Sequence, residues 1–311
     1  MLSMLTSRRL AVLPLSLVAL VAALLLAACG SSKSDSGSGS AADTSASASA
    51  TSATTANASA DANACTKDSL SLVNDGKLTV GTDQPAYPPY FEDNRPSNGR
   101  GFESAVAFAI ARQLGFAPTD VSWIVEPFNS SYAPGPRRFD FDVNEISITP
   151  ARARHVDFSA PYYTAPQAIV VLKRSPSANA TSLSALASTQ IGVQIGTTSL
   201  DAVNARIHPS KTPKVFDDSN DVVRALKQGQ VDAVVVDLPT AFYITSAQVT
   251  DAKIVGQFDA PGGDQWGALL AHNSKLTSCV SRAVNALQSS GELKRIQDQW
   301  MGAAAGAPTL Q

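Results

Sequence analysis

Val231-Asp-Ala-Val-Val-Val-Asp237 constrains the fold more than any other stretch of the chain. It is a nearly continuous apolar run, which suits a strand covered on both faces, as in the parallel sheets of α/β proteins, rather than one with a solvated face. Around it, strand-like and helix-like segments alternate. Residues 77–82, 121–125, 168–172, 191–195 and 267–271 read as further strands. Phe102, Val106, Ile110 and Leu114 recur every four residues, which predicts a core-facing helix closed by Gly115. Helices are also predicted over about 220–228, 276–288 and 292–300. The fold class is therefore α/β. Asp237 stands at the C-terminal end of its strand, where open α/β sheets collect ligands.

The segment before this region is of another kind. Arg8 and Arg9 precede an apolar run over 10–27, so residues 1–28 have the layout of a secretory signal. Leu26-Ala-Ala-Cys29 resembles the lipobox of bacterial lipoproteins, which makes Cys29 a lipid anchor; the alternative is an ordinary signal with an incidental cysteine. Apart from Lys33, residues 30–64 are Ser, Ala, Thr, Gly, Asp and Asn, with no large apolar residue. No core can form there, and 29–64 is expected to be a lipidated cysteine followed by a disordered tether, on the order of 30 Å r.m.s. end to end. Residues 65–311 remain to build the folded part.

Composition excludes several functions. The chain has 24 Lys+Arg against 26 Asp+Glu, and losing Arg8 and Arg9 with a signal makes it more acidic, which argues against a nucleic-acid partner. His155, His208 and His272 are scattered and the three cysteines are far apart, so neither a metal site nor a cofactor is expected. There is no Gly-x-Ser-x-Gly elbow. No second long apolar run follows the first.

Chemistry concentrates near residues 144–159. An alternating segment through Val143, Ile146 and Ile148 is stopped by Pro150 and turns into Ala-Arg152-Ala-Arg. Arg152 offers a planar fork of donors that matches a carboxylate, with the Ser147 and Thr149 hydroxyls nearby in sequence. The alternative is a solvated surface arginine. Gly196-Thr-Thr-Ser199 opens a helix, where free backbone N–H groups favour an anion, although Thr and Ser there are also ordinary caps.

Ser147-Ile-Thr-Pro-Ala-Arg152 followed by Val156-Asp-Phe-Ser-Ala-Pro-Tyr-Tyr163 resembles the family 3 solute-binding proteins of bacterial ABC importers, and the likeness extends with gaps over 78–300. The resemblance implies a periplasmic-binding-protein-like, type II fold: two α/β lobes joined by two crossover segments, with a ligand cleft between them. Lobe 1 is expected over 65–167 and 263–311, and lobe 2 over 168–262. It implies a monomer that captures an amino acid, polar or basic by preference, and hands it to an ABC transporter permease. The protein would be exported and anchored by lipid to the outer face of the cytoplasmic membrane. In the family's pattern Arg152, Ser147 and Thr198 hold the ligand's carboxylate, Asp237 its amino group, Tyr87 and Phe128 its sides, and Asp83 touches its side chain. Where the family often has a small residue near the amino group, this chain has Glu145. Pro134, Gly135 and Pro136 break the helix the family has after Phe128.

Other readings remain. Cyclohexadienyl dehydratases share the fold and the arginine clamp, and Glu92 or Glu145 would then be the general acid. A sensory domain is disfavoured because no signalling domain follows Gln311. Glu103, in the first turn of its helix, is assigned to structure through the helix dipole. With Cys29 assigned to lipid, Cys65 and Cys279 form an even pair in an oxidising compartment, which suggests a disulfide; the alternative is a buried thiol at Cys279 with Cys65 loose in the tether.

Overall fold

The structure, a computed structural model, describes residues 65–302 and 306–311. The expected signal, Cys29 and the tether lie outside the described residues. In chain order the elements are β1 (Leu78–Thr82), α1 (Phe102–Gln113), β2 (Val121–Val125), α2 (Phe128–Ser131), β3 (Phe141–Asp142), β4 (Val156–Thr164), β5 (Gln167–Leu172), β6 (Ile191–Gln194), α3 (Thr198–Ala202), β7 (Lys214–Phe216), α4 (Ser219–Lys227), β8 (Ala233–Asp237), α5 (Leu238–Tyr243), β9 (Ala252–Phe258), β10 (Gln265–Ala271), α6 (Thr277–Ser289) and α7 (Glu292–Met301).

They form two five-stranded sheets, ordered β2-β1-β3-β10-β4 and β7-β6-β8-β5-β9. Each is the centre of one α/β lobe, as a two-lobe type II fold requires. The Val231–Asp237 run contains β8, which is covered on both faces. Ala233 and Val235 join Ile169, Val171 and Val193 in one apolar cluster, while Val234 joins Ala168, Val170, Val222 and Leu226 in the other. Period-two alternation explains this, since successive side chains leave opposite faces. Each fully buried valine is worth about 1.5–3 kcal/mol relative to exposure. The sheet is mixed: β8 pairs parallel to β6 but antiparallel to β5.

Two short crossovers join the lobes. Ala165-Pro166 links β4 to β5, and residues 259–264 link β9 to β10. They run side by side: Thr164 pairs with Gln265, Gln167 with Phe258, and the Ala165 N–H donates to the Asp264 carbonyl at 2.8 Å. Gln167, expected in lobe 1, pairs in the second sheet because its backbone already belongs to that ladder.

The C-terminal tail also departs from expectation. Helices α6 and α7 pack on the first sheet's core through Val280, Val284, Leu287 and Leu293. Residues 306–311, expected with them, instead lie on lobe 2. Gln257 N–H donates to Pro308 O and Leu310 N–H to Gln257 O, both at 2.8 Å, and Leu310 is buried in a lobe 2 cluster. Gly256 makes room, since a Cβ there would come within 2.5 Å of Leu310 Cγ. Burial of Leu310 and pairing with β9 outweigh sequence adjacency to α7.

Cys65 and Cys279 are disulfide-bonded, with Cα atoms 5.3 Å apart. The bond ties the first described residue to α6.

Candidate functional site

A cavity of about 480 Å³ lies between the lobes, and all eight of the candidate ligand-binding residues line it. Lobe 1 supplies Asp83, Tyr87, Phe128, Glu145, Ser147 and Arg152 from the loops after β1, β2 and β3; lobe 2 supplies Thr198 and Asp237 from the C-terminal ends of β6 and β8. Glu92 is not among the lining residues, so it does not face a bound molecule there.

Arg152 is 7 % exposed and opens a short helical turn. Its guanidinium donates through Nη1 to Ser147 O at 2.7 Å and through Nη2 to Gly196 O at 2.9 Å, across the cleft. One face lies over the Tyr132 ring at 4.6 Å, with Phe128 at 5.4 Å. Two backbone carbonyls and two rings thus fix the plane of the fork while leaving further N–H groups for an incoming oxyanion. The solvated reading of Arg152 does not hold. Gly196 permits this approach: it has φ +74°, and a Cβ would overlap Tyr132 Oη and sit 2.9 Å from Asn129 Oδ1.

Further contacts bridge the lobes. Ser147 Oγ and Thr198 Oγ1 are 3.3 Å apart, Tyr87 Oη donates to Asn220 Oδ1 at 2.8 Å, and Tyr90 Oη lies 2.7 Å from Thr240 Oγ1. The Tyr87 ring also meets Tyr243, with centroids 5.4 Å apart. The lobes are closed on each other. Asp83 Oδ2 accepts from Phe128 N–H at 3.2 Å, joining the two loops that carry these side chains.

Asp237 occupies the N-cap position of α5, but its side chain caps nothing. Instead Oδ1 accepts from Gln167 Nε2 at 2.5 Å. Gln167 Nε2 also reaches Asp264 Oδ2 at 2.8 Å, and its Oε1 accepts from Ser199 Oγ at 2.6 Å. Thr198 Oγ1 donates to the same Asp264 Oδ2 at 2.7 Å. The two crossovers and the two lobe 2 strand ends therefore share one polar knot. Burial pushes the Asp237 carboxyl well above the usual carboxylate range, with Asp264 adding to the rise while the Gln167 bond and Arg152 oppose it. Burial lowers Arg152, opposed by Tyr132, Asp264 and Asp237.

Glu103 stands in the first turn of α1, as expected, and is fully buried; it does not line the cavity but bonds to Glu145, which does. Its Oε1 accepts from Glu145 N–H at 2.8 Å and from the Tyr162 hydroxyl. Burial raises Glu145 well above the carboxylate range, reinforced by Glu103, Asp237 and Asp83. Sequence reasoning missed Gln167, Asp264 and Asn144. Asn144 is 6 % exposed, lines the cavity, and its Nδ2 has no acceptor. The available signal was position alone: Asn144 adjoins Glu145, and Asp264 follows a Pro-Gly-Gly turn.

Among the described residues Arg152 is the only cation lining the cavity, which it shares with the carboxyl groups of Asp83, Glu145, Asp217, Asp218 and Asp237. Such a site suits a ligand with one anionic end and an excess of positive charge. Among the described residues no cluster of His, Cys, Asp and Glu is suited to a metal ion, and no helix is long and apolar enough to cross a membrane.

Known proteins align with this arrangement. The chain is 26 % identical to the L-cystine-binding protein TcyJ of Escherichia coli (strain K12) over 73 % of its own length and 84 % of the relative's. It is 27 % identical to the arginine-binding extracellular protein ArtP of Bacillus subtilis (strain 168), over 72 % and 86 %. An ancestral arginine-binding protein solved with bound glutamine superposes with a TM-score of 0.60 at 32 % identity, covering 73 % of this chain and 98 % of that one. Residues 78–303, which hold both sheets and every residue of the Arg152 clamp, match the sequence model of the bacterial extracellular solute-binding proteins, family 3, and the chain belongs to that family.

Proposed function

We propose that this protein captures a cationic amino acid in the interlobe cleft and delivers it to the permease of an ABC importer. One observation carries the choice of ligand class: an interlobe cavity lined by one buried arginine and five carboxyl groups. In this reading Arg152, Ser147 and Thr198 hold the α-carboxylate, Asp237 takes the α-ammonium, Tyr87 and Phe128 flank the ligand, and Asp83 and Glu145 face its side chain. The names of the relatives, an arginine binder among them, support an amino acid without fixing which. Two crossovers provide the hinge, and closure gives the permease a surface to recognise. The protein would be exported, held at the membrane by lipid on Cys29, and monomeric.

A second reading draws on Glu145. A raised carboxyl group in a cleft with an arginine clamp also suits the general acid of a cyclohexadienyl dehydratase. A thermal-shift panel of amino acids separates the two, since ligand at 100 times its Kd adds about 2.7 kcal/mol of stability. Stabilisation by arginine or lysine without turnover of prephenate or arogenate is expected; turnover of either acid would replace transport with catalysis.

A further inference from the structure

Glu145 is an unusual residue to find on the cleft wall. It sits at φ +49°, a conformation that costs a non-glycine residue energy, so the surrounding structure holds it there against preference. Its amide is pinned to Glu103 Oε1 at 2.8 Å, and burial, with Glu103 beside it, pushes its carboxyl well above the usual carboxylate range. Glu103 Oε2 is fully buried with no donor from any other side chain. Two buried carboxylates joined through one amide cannot both be ionised at low cost, so one proton between them satisfies the orphaned oxygen and removes the repulsion. Among the described residues no cation is ion-paired with Glu103, and Arg152 is the only cation lining the cavity with Glu145. Asp83 and Tyr90 approach from the loop after β1, Tyr162 from β4, and Asp237 from lobe 2, while Arg152 lies across the cleft. Beside the pair, the unpartnered Asn144 Nδ2 on the same wall marks a place prepared for a bound acceptor.

Resting on the amino-acid reading above, we infer that the Glu103–Glu145 pair shares one proton in the empty cleft and gives it up when the second positive charge of a cationic amino acid arrives. The balance is simple: the carboxylic acid of Glu145 loses its proton to solvent, and the ligand's side-chain ammonium or guanidinium becomes the counter-ion of the resulting carboxylate. Neutral amino acids bring only the α-ammonium that meets Asp237, so they release one proton fewer than a cationic amino acid does. Affinity for arginine relative to glutamine then rises with pH by about tenfold per unit while the free pair is protonated and the bound pair is not.

Two measurements test this. Carboxyl ¹³C NMR of glutamate-labelled, ligand-free protein should show one glutamate still protonated at pH 7 and absent in Glu145→Gln. Calorimetry with L-arginine, L-lysine and L-glutamine in buffers of different ionisation enthalpy should give close to one proton more for the first two than for glutamine in the unaltered protein, and no such difference in Glu145→Gln. Arginine binding that releases no more protons than glutamine binding, or a ligand-free protein with every glutamate ionised at pH 7, overturns the inference and leaves amino-acid capture standing. Failure of a full amino-acid panel to bind overturns both.

Discussion

Replacing Gly196 by alanine should weaken ligand binding far more than it weakens the fold. Two costs are involved, and the structure separates them. The first is the backbone: at φ +74° an alanine costs about 1 kcal/mol, whichever way the lobes stand. The second arises only on closure, because the new Cβ overlaps Tyr132 Oη and sits 2.9 Å from Asn129 Oδ1, both on the opposite lobe. Moving them aside breaks the Tyr132–Asn129 hydrogen bond of 2.7 Å and strains the Arg152–Gly196 bond of 2.9 Å. At about 1 kcal/mol each, closure loses about 2 kcal/mol, or about 30-fold in Kd if the ligand binds the closed form. Gly229→Ala is the control, since Gly229 has a similar φ of +68° with nothing within 4 Å of the added Cβ. Titration calorimetry with L-arginine on both variants, beside urea unfolding of each, reads the two costs independently. Adding Tyr132→Phe to Gly196→Ala should recover part of the loss by removing the obstructing hydroxyl. Equal affinities for Gly196→Ala and Gly229→Ala would show that the Tyr132–Gly196 approach has no part in closure.

Arg152→Ala should cost about 2 to 5 kcal/mol of binding free energy, because a ligand carboxylate would then be buried without a counter-charge; unchanged affinity by calorimetry would remove Arg152 from the site. Reducing Cys65–Cys279, which are 214 residues apart in sequence, should lower unfolding stability by up to about 5 kcal/mol on the chain-entropy argument. Urea midpoints that coincide with and without reductant would refute it. Asp237→Asn should stabilise the empty protein at neutral pH while abolishing binding. The sign follows from a folded pKa raised by burial above the unfolded value: the stability of the protonated form is fully present below the ordinary carboxylate pKa and is lost as pH rises through the raised one. A pH–stability profile that Asp237→Asn leaves unaltered would contradict this.

The parts of the fold that could be read in advance share a physical property: their signal is local. β8 was visible as a valine run and α1 as a four-residue apolar repeat, because strand and helix periodicities are written within a few turns of chain. β9 was missed since Gly256 interrupts its apolar pattern, and the reason for that glycine, Leu310, lies more than fifty residues away. The tail itself carries one large apolar side chain after an Ala-Gly stretch, too little for any periodicity. Arg152 and Thr198 were legible at the site because a resemblance placed them, whereas Asp264 and Gln167 matter through contacts that join distant segments. Glu103 was read from its helix position alone; what decides its chemistry is Glu145, forty-two residues further on.

The aromatic residues are divided unevenly between the lobes, and this gives the molecule a built-in spectroscopic asymmetry. All three tryptophans, Trp123, Trp266 and Trp300, pack in or against the core of the first sheet, and the second sheet's clusters contain none. Indole emission therefore follows the melting of lobe 1, while far-ultraviolet circular dichroism sums over both sheets. Coincident transitions by the two probes mean that the lobes unfold as one cooperative unit; a dichroism change that runs ahead of the emission change isolates the loss of lobe 2. Excitation of the indoles thus observes one half of the molecule without any added label.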